Sequence, residues 1–500
     1  MSLENHFQPF RENIVGYDAK VKTPQGEKPL VYADWIASGR LYRPIEERIT
    51  NVFGPVVANT HSESSETGKI MTNSYHLSHR LIKEHVNAGP DDVIITAGFG
   101  MTTVVNKLQR MLGLKLSVRD QDLDFTRGIP GDRIVRKDDS TRPVVFVTHL
   151  EHHSNHTSWL ETAADVVVLE PNPDMTVNVK SLEAALDKYR HRELKIGAFS
   201  ACSNVTGIFP PFLDLARLMH KNNGFAFIDY AASAPYVDIN MHPQGDPCGY
   251  IDGIYFSPHK FLGGPGSSGV LIFNKNLYHN PVPDHPGGGT VTWTNRWGKR
   301  SYITDIEARE DGGTPGFLQS FRTALAINLK NQMGTDMMAR REEELLKRAM
   351  AGIRAIPGVR ILADTDQPRI GVISFYSEEI HHNLFVRLLN DYFGVQVRGG
   401  CSCAGTYGHY LLQVTLEQSD EITSMIDHGD LSRKPGWVRL SLHPTMTDAE
   451  LDYVLGAVEG VARNHHHWAE DYEYDRHSNE FFHKTFPAMK EEDFRDWFRL

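Results

Sequence analysis

Cysteine is scarce in this 500-residue chain: four residues. So few thiols in so long a sequence do not make a disulfide framework, and a small stapled secreted fold is excluded. No apolar run approaches the roughly 18 residues of a membrane span. The first thirteen residues are polar, with no apolar core of a secretory signal. Positive charge is not in excess: Lys and Arg total 52 against 63 Asp and Glu, a formal charge of -11. That balance argues against a general nucleic-acid or anionic-membrane binder. Internal repeats and low-complexity segments are also missing. The expectation is a protein of a reducing cytoplasm, without membrane or nucleic-acid partners. About 40% of residues are apolar, so the chain supports two or three cores.

What is present reads as strands alternating with helices. β-rich runs occur at 92–96, 144–148, 166–169, 196–200, 225–229, 253–256 and 269–273. Between them, Met101, Val104, Val105, Leu108, Met111 and Leu112 recur at helical spacing, with Gly113 as a stop. Helices are also expected over 179–189 and 212–221. This alternation predicts an α/β domain with a mostly parallel sheet. Residues 115–142 are charged and turn-rich, and read as a surface insertion. Near residue 320 the pattern changes to helices (321–333, 341–353, 382–392) and strands (370–376, 395–398, 438–442). The last helix opens at Thr447 with Glu450 three residues on, a capping box. We expect an arm over 1–30 packing on the small domain, a large domain over 31–320, a smaller α+β domain over 321–462 and an extension over 463–500. The run His465-His466-His467 is most simply solvated.

Chemistry concentrates at strand ends. Lys260 lies just past a strand in Ser257-Pro258-His259-Lys260-Phe261-Leu262-Gly263-Gly264. A lysine there can carry a Schiff base, and glycine lets backbone approach a cofactor; alone, it reads first as a surface lysine before a turn. Gly264, Gly266 and Gly269 match a dinucleotide fingerprint by letter, but a strand follows where a helix is required. Gly98-Phe99-Gly100 lies between strand and helix, where free amides at Gly100 and Met101 suit an anion or merely make a tight turn. Asp229 ends a strand, where it could protonate a pyridine nitrogen or simply cap a helix. His152 follows another strand, placed to stack on a flat cofactor. His152 and His156 have metal-ligand spacing without a third ligand, so no metal is assigned.

In order along the chain, Tyr32-Ala33-Asp34-Trp35-Ile36-Ala37-Ser38-Gly39-Arg40, Glu151-His152-His153-Ser154-Asn155, Ser203-Asn204-Val205-Thr206-Gly207, Ile228-Asp229, the Ser-x-His-Lys block and Gly312-Gly313-Thr314-Pro315 resemble the class V aminotransferase family. Within it they resemble the cysteine desulfurase and selenocysteine lyase branch, over residues 10–460. The resemblance implies a pyridoxal 5'-phosphate (PLP) enzyme of fold type I. Its large domain would carry a mostly parallel seven-stranded sheet, beside a smaller α+β C-terminal domain. It implies that Lys260 holds the cofactor and shuttles protons at the substrate α-carbon, and that Asp229 pairs with the pyridine nitrogen. His152 would stack on the ring as acid or base, and Asn204 would bond the ring hydroxyl. Gly100, Met101, Ser257 and His259 would hold the phosphate, with Thr314 and Thr290 reaching it from the other subunit of a homodimer.

Val397-Arg398-Gly399-Gly400-Cys401-Ser402-Cys403-Ala404 resembles the family's cysteine loop, which makes Cys403 the nucleophile. Arg439, in Val438-Arg439-Leu440-Ser441, matches the arginine for the substrate carboxylate, assisted by Arg398. The implied reaction converts L-cysteine to L-alanine with a persulfide on Cys403, or acts on selenocysteine, and the implied partner is a sulfur-acceptor protein. The alternative is an aminotransferase, epimerase or β-lyase using the same Lys260. Three departures bear on this choice. Ala232 replaces the usual glutamine, and 405–436 forms a longer segment that could cover the site. Cys401 adds a second thiol, resembling the Cys-x-Cys loop of molybdenum cofactor sulfurases.

Overall fold

The computed structural model describes residues 2–60, 63–115, 142–487 and 489–500. Most of the expected insertion at 115–142 lies outside the described residues. An N-terminal helix, Leu3–Arg11, leads into the hairpin β1 (Lys20–Thr23)–β2 (Gly26–Pro29) and a short strand, β3 (Val31–Tyr32). The main sheet is built from β4 (Asp92–Ala97), β5 (Val144–Thr148), β6 (Asp165–Leu169), β7 (Lys195–Ser200), β8 (Phe225–Asp229), β9 (Gly253–Phe256) and β10 (Gly269–Asn274). Their order is β4-β10-β9-β8-β7-β5-β6. The strands from β5 to β9 pair in parallel, and β10 runs antiparallel to both neighbours.

Every residue of β5, β7 and β9 is buried, as expected of strands with helices on both faces. Helix Met101–Met111 buries Met101, Val104, Val105, Leu108 and Met111 along one face. It ends as its sequence predicts: Gly113 takes φ +69°, and the Leu114 amide returns to the Gln109 carbonyl.

A hairpin, β11 (Val291–Thr294)–β12 (Arg300–Tyr302), extends from the region after β10. Helices Phe317–Met333 and Thr335–Arg354 then lead to a second sheet. It contains β13 (Val359–Ile361), β14 (Val372–Ser377), β16 (Arg398–Gly400) and β17 (Trp437–Ser441), antiparallel throughout in the order β13-β14-β17-β16. The intervening β15 (Val395–Gln396) pairs in parallel with β3, which ties the N-terminal segment to this half. Arg11 pairs with Glu450, and the Thr23 hydroxyl donates to the Asp391 carbonyl at 2.6 Å. The expected capping box at Thr447 and Glu450 is present in both directions. A final hairpin, β18 (Tyr472–Asp475)–β19 (Glu480–His483), follows the last helix, Asp448–Trp468.

The segment after Cys403 contains two helices, Gly405–Leu411 and Leu416–Asp427. One sequence expectation changes. His465 is not solvated: helical rotation turns it inward, so it is buried while His466 and His467 are exposed.

Candidate active site

Loops at the carboxyl ends of β5, β7, β8 and β9 converge on a cavity of about 200 Å³, the expected ligand position in an open α/β sheet. Its walls include Met101, His152, Asn204, Asp229, Ser257, His259, Lys260, Arg398, Cys403 and Arg439. The structure thus gathers almost all of the sequence-derived candidates. Gly100 does not line the cavity but lies beside Ser257 and His259, which do. Thr290 and Thr314 lie elsewhere. Thr290 is buried, its hydroxyl donating to the Gly287 carbonyl at 2.7 Å. Thr314 is exposed, beside Asn59.

Lys260 belongs to a short helical turn, Pro258–Lys260, directly after β9. The opening motif fixes that turn from behind. The Gly39 amide donates to the His259 carbonyl at 2.9 Å, and a β-carbon on Gly39 would lie 1.9 Å from the Phe261 carbonyl oxygen. Only a residue without a side chain fits there. Lys260 keeps a face open to the cavity, yet burial lowers its pKa. Asp229 opposes that shift, and Arg439 and Arg398 reinforce it. Asp229, at the end of β8, is buried and shifts up for the same reason, against a hydrogen bond from the Ala231 amide at 2.8 Å. A cationic ring nitrogen opposite Asp229 would give its carboxylate the counter-charge that burial makes favourable.

His152 caps helix His153–Leu160, its Nδ1 accepting the Ser154 amide at 3.0 Å. The ring proton is therefore on Nε2. Burial first, then the Lys260 charge, pushes its pKa down to about 3. The preceding Glu151, given no role from sequence, is buried. It accepts from the Thr148 and Ser200 hydroxyls, each at 2.6 Å, and from the Asn155 side-chain amide at 2.7 Å. These bonds lock the His152 loop to β7.

At the other end of the cavity, the Met101 amide donates to Ser257 Oγ at 2.9 Å, and His259 Nδ1 bonds the Phe99 carbonyl. A β-carbon on Gly100 would come within 3.0 Å of both the His259 ring and Ser257 Oγ. This glycine-lined recess at a helix N-terminus has the donor chemistry of a phosphate cradle. Asn204 Oδ1, Ser402 Oγ and Arg439 Nε are buried without a protein partner, and their residues line the same cavity. The residues present therefore fit PLP: a carboxylate for its ring nitrogen, a cradle for its phosphate, unpaired polar groups and a lysine.

Arg439 projects from β17. Its guanidinium donates to Asp34 Oδ1 at 3.0 Å and to the Asn204 carbonyl at 3.2 Å. Arg398 Nε reaches the other Asp34 oxygen at 3.1 Å. Asp34, quoted in the opening motif but assigned no role there, thus aligns both arginines. No sequence signal revealed this, because 364 residues separate Asp34 from Arg398.

Cys403 is the exposed cysteine; Cys401 and Cys248 are half-buried and Cys202 is buried. Burial pushes the Cys202 thiol far up, which removes it as a nucleophile although it lines the cavity. Cys403 is exposed between buried Ser402 and Ala404, on a loop that is held in place. Asn204 donates to the Ser402 carbonyl at 2.7 Å, and the His153 amide to the Cys403 carbonyl at 2.8 Å. The Gly405 amide donates to His153 Nε2 at 2.9 Å. Ser402 and Cys403 take φ of +52° and +55°, a left-handed pair that non-glycine residues adopt only when surroundings impose it.

A lysine, a buried carboxylate and a phosphate cradle at the carboxyl edge of this sheet define a PLP enzyme of fold type I. The family model for aminotransferase class V matches residues 136–454, and the chain belongs to that PLP-dependent family. A probable cysteine desulfurase of Halalkalibacterium halodurans is 26% identical over 380 residues, covering 75% of this chain and 84% of the relative. Probable cysteine desulfurase 2 of Mycobacterium leprae is 27% identical over 418 residues, covering 81% and 90%. Among solved structures, the apo cysteine desulfurase of Thermococcus onnurineus superposes with a TM-score of 0.69 at 19% identity, covering 91% of this chain and 98% of the other. An Escherichia coli cysteine desulfurase in its S-sulfonic acid form gives 0.68 at 20%, with the same coverage. These two likenesses establish the fold.

Proposed function

We propose that this chain is a cysteine desulfurase, converting L-cysteine to L-alanine, with selenocysteine as the analogous substrate. The observation that carries this reading is an exposed Cys403 on a strained, hydrogen-bonded loop at the same cavity as Lys260 and Arg439. The desulfurase relatives support it.

Arg439, aligned by Asp34, would bind the substrate carboxylate as a guanidinium fork, with Arg398 beside it. When bound, PLP supplies the electron sink that makes the substrate α-carbon acidic. Lys260 and Asp229 would hold it covalently and at the ring nitrogen. Asn204 would contact the ring, and Gly100, Met101, Ser257 and His259 the phosphate. Neutral His152 would stack on the ring. The Lys260 amine would move the proton at the α-carbon. The Cys403 thiolate would attack the substrate sulfur; the carbon–sulfur bond breaks, its electron pair stays with carbon, and protonation yields alanine. The sulfur remains on Cys403 as a persulfide for an acceptor.

We also propose a homodimer in which Thr314 serves the neighbouring site, and Thr290 joins it once its bond to the Gly287 carbonyl is released. The domain division is proposed as arm 1–30, large domain 31–320, small domain 321–462 and extension 463–500. The proposed location is the cytoplasm, where an exposed catalytic thiol stays reduced. Among the described residues no helix is long and apolar enough to cross a membrane.

The test mixes PLP-loaded protein with L-cysteine and a reductant, and quantifies alanine and sulfide. Equal yields, lost in both Cys403→Ala and Lys260→Ala, are expected. Pyruvate with sulfide would mean β-elimination. Turnover that persists in Cys403→Ala would overturn the nucleophile assignment.

A further inference from the structure

We propose that Glu379, His465 and His466, none of which lines the cavity described above, form a binding site for one divalent transition-metal ion of the zinc class. The donor atoms lie within 4.8 Å of one another. Nε2 of His465 and Nε2 of His466 are each 3.9 Å from the same Glu379 oxygen. These gaps are too long for hydrogen bonds. Ligands around a tetrahedral ion, with bonds of about 2.0–2.1 Å, stand roughly 3.3 Å apart, so each imidazole must approach Glu379 by about half an ångström, and donors spaced up to 4.8 Å must close by up to about 1.5 Å. Glu379 and His466 are both exposed, which leaves their side chains free to make that approach.

His465 supplies the observation that points to a ligand. Its side chain is 7% exposed, and its Nε2 is buried without a hydrogen-bond partner. Its Nδ1 bonds the Ala462 carbonyl at 2.9 Å. A carbonyl only accepts, so Nδ1 carries a proton, and Nε2 is the ring atom that faces Glu379. A second ring nitrogen fixed by a backbone carbonyl is the usual arrangement of a metal-bound histidine. A buried ring nitrogen without a hydrogen-bond partner, 3.9 Å from a carboxylate oxygen, is unfavourable; a metal cation bound by both resolves it.

The site's place in the fold favours positive charge. His465 and His466 lie in the last turn of helix Asp448–Trp468, where the unpaired carbonyls and helix dipole attract cations. Glu379 lies just after β14, whose neighbour β17 carries Arg439. An ion would clip the end of the last helix to the second sheet. Two imidazoles and a carboxylate suit Zn²⁺, with a water as fourth ligand, better than Ca²⁺ or Mg²⁺, which take oxygen shells.

The test uses PLP-loaded, chelator-treated protein titrated with Zn²⁺ by calorimetry, beside His466→Ala and Glu379→Gln. Both substitutions are at exposed positions and should leave the fold intact. The expected result is one ion per chain, at least tenfold weaker in each variant, with a Zn²⁺-dependent rise in melting temperature that both variants lose. Failure to take up Zn²⁺, or a weakening below tenfold in both variants, would overturn the proposal. So would uptake abolished by Cys403→Ala, which would assign the ion to the thiol.

Discussion

At the scale of single residues, chemistry turns on which groups are buried and which are open. Arg439 is buried beside Asp34, yet keeps one nitrogen unpaired at the cavity. Arg439→Lys keeps the charge and loses the fork. A charge-assisted contact contributes about 1.5–3 kcal/mol, so kcat/KM for L-cysteine is expected to fall at least about tenfold, chiefly through KM. Steady-state kinetics decides this, and an unchanged KM would remove Arg439 from substrate binding. Lys260 has its pKa lowered from the ordinary 10.5, mainly by burial. Its neutral, nucleophilic form is therefore present at lower pH than in a free alkylamine. The rate of PLP uptake by cofactor-free protein should rise with pH and level off well below 10.5. A profile matching that of a free alkylamine would contradict this. His152, held near 3, stays neutral from pH 5 to 9 and should add no inflection there.

At the scale of elements, the site is held by contacts between segments distant in sequence. The turn bearing Lys260 leans on Gly39 with no room for a methyl group. Gly39→Ala should destabilise the protein by about 2–3 kcal/mol, the order of an overpacked core, and impair PLP retention. Thermal melting and the bound-cofactor content measure the two effects. Asp34→Ala leaves buried Arg439 without its counter-ion. Breaking a buried pair costs about 3–5 kcal/mol, and the partial exposure of Asp34 places the expected loss near 3. A denaturant midpoint that does not move would show that Arg439 needs no partner.

At the scale of the whole molecule, the exposed apolar surface is informative. Helix Glu66–His85 exposes Ile70 and Leu77, and the preceding turns expose Val52 and Val57. The β11–β12 hairpin exposes Trp293, and Trp297 stands at its turn. Burial of such a surface in a second copy agrees with the proposed homodimer. Light scattering should return twice the 56.4 kDa chain mass, and Trp297→Glu should shift the protein toward monomer.

The sequence by itself determined the periodic elements, the parallel sheet and the strand-end candidates. Buried strands and amphipathic helices are written in local hydrophobic spacing, and the turn at Gly113 in a single residue's freedom. Motif order then singled out Lys260, Asp229, His152 and Arg439 as candidates. Tertiary structure alone decided what Asp34, Glu151 and His465 do. Asp34 joins two arginines more than 360 residues away, and Glu151 bonds across to β7. His465 is turned inward where its neighbours face water. The reason is physical: local spacing encodes which face of an element is apolar. The partner of a buried charge or lone pair is set by how those elements pack, and no short stretch of sequence records that.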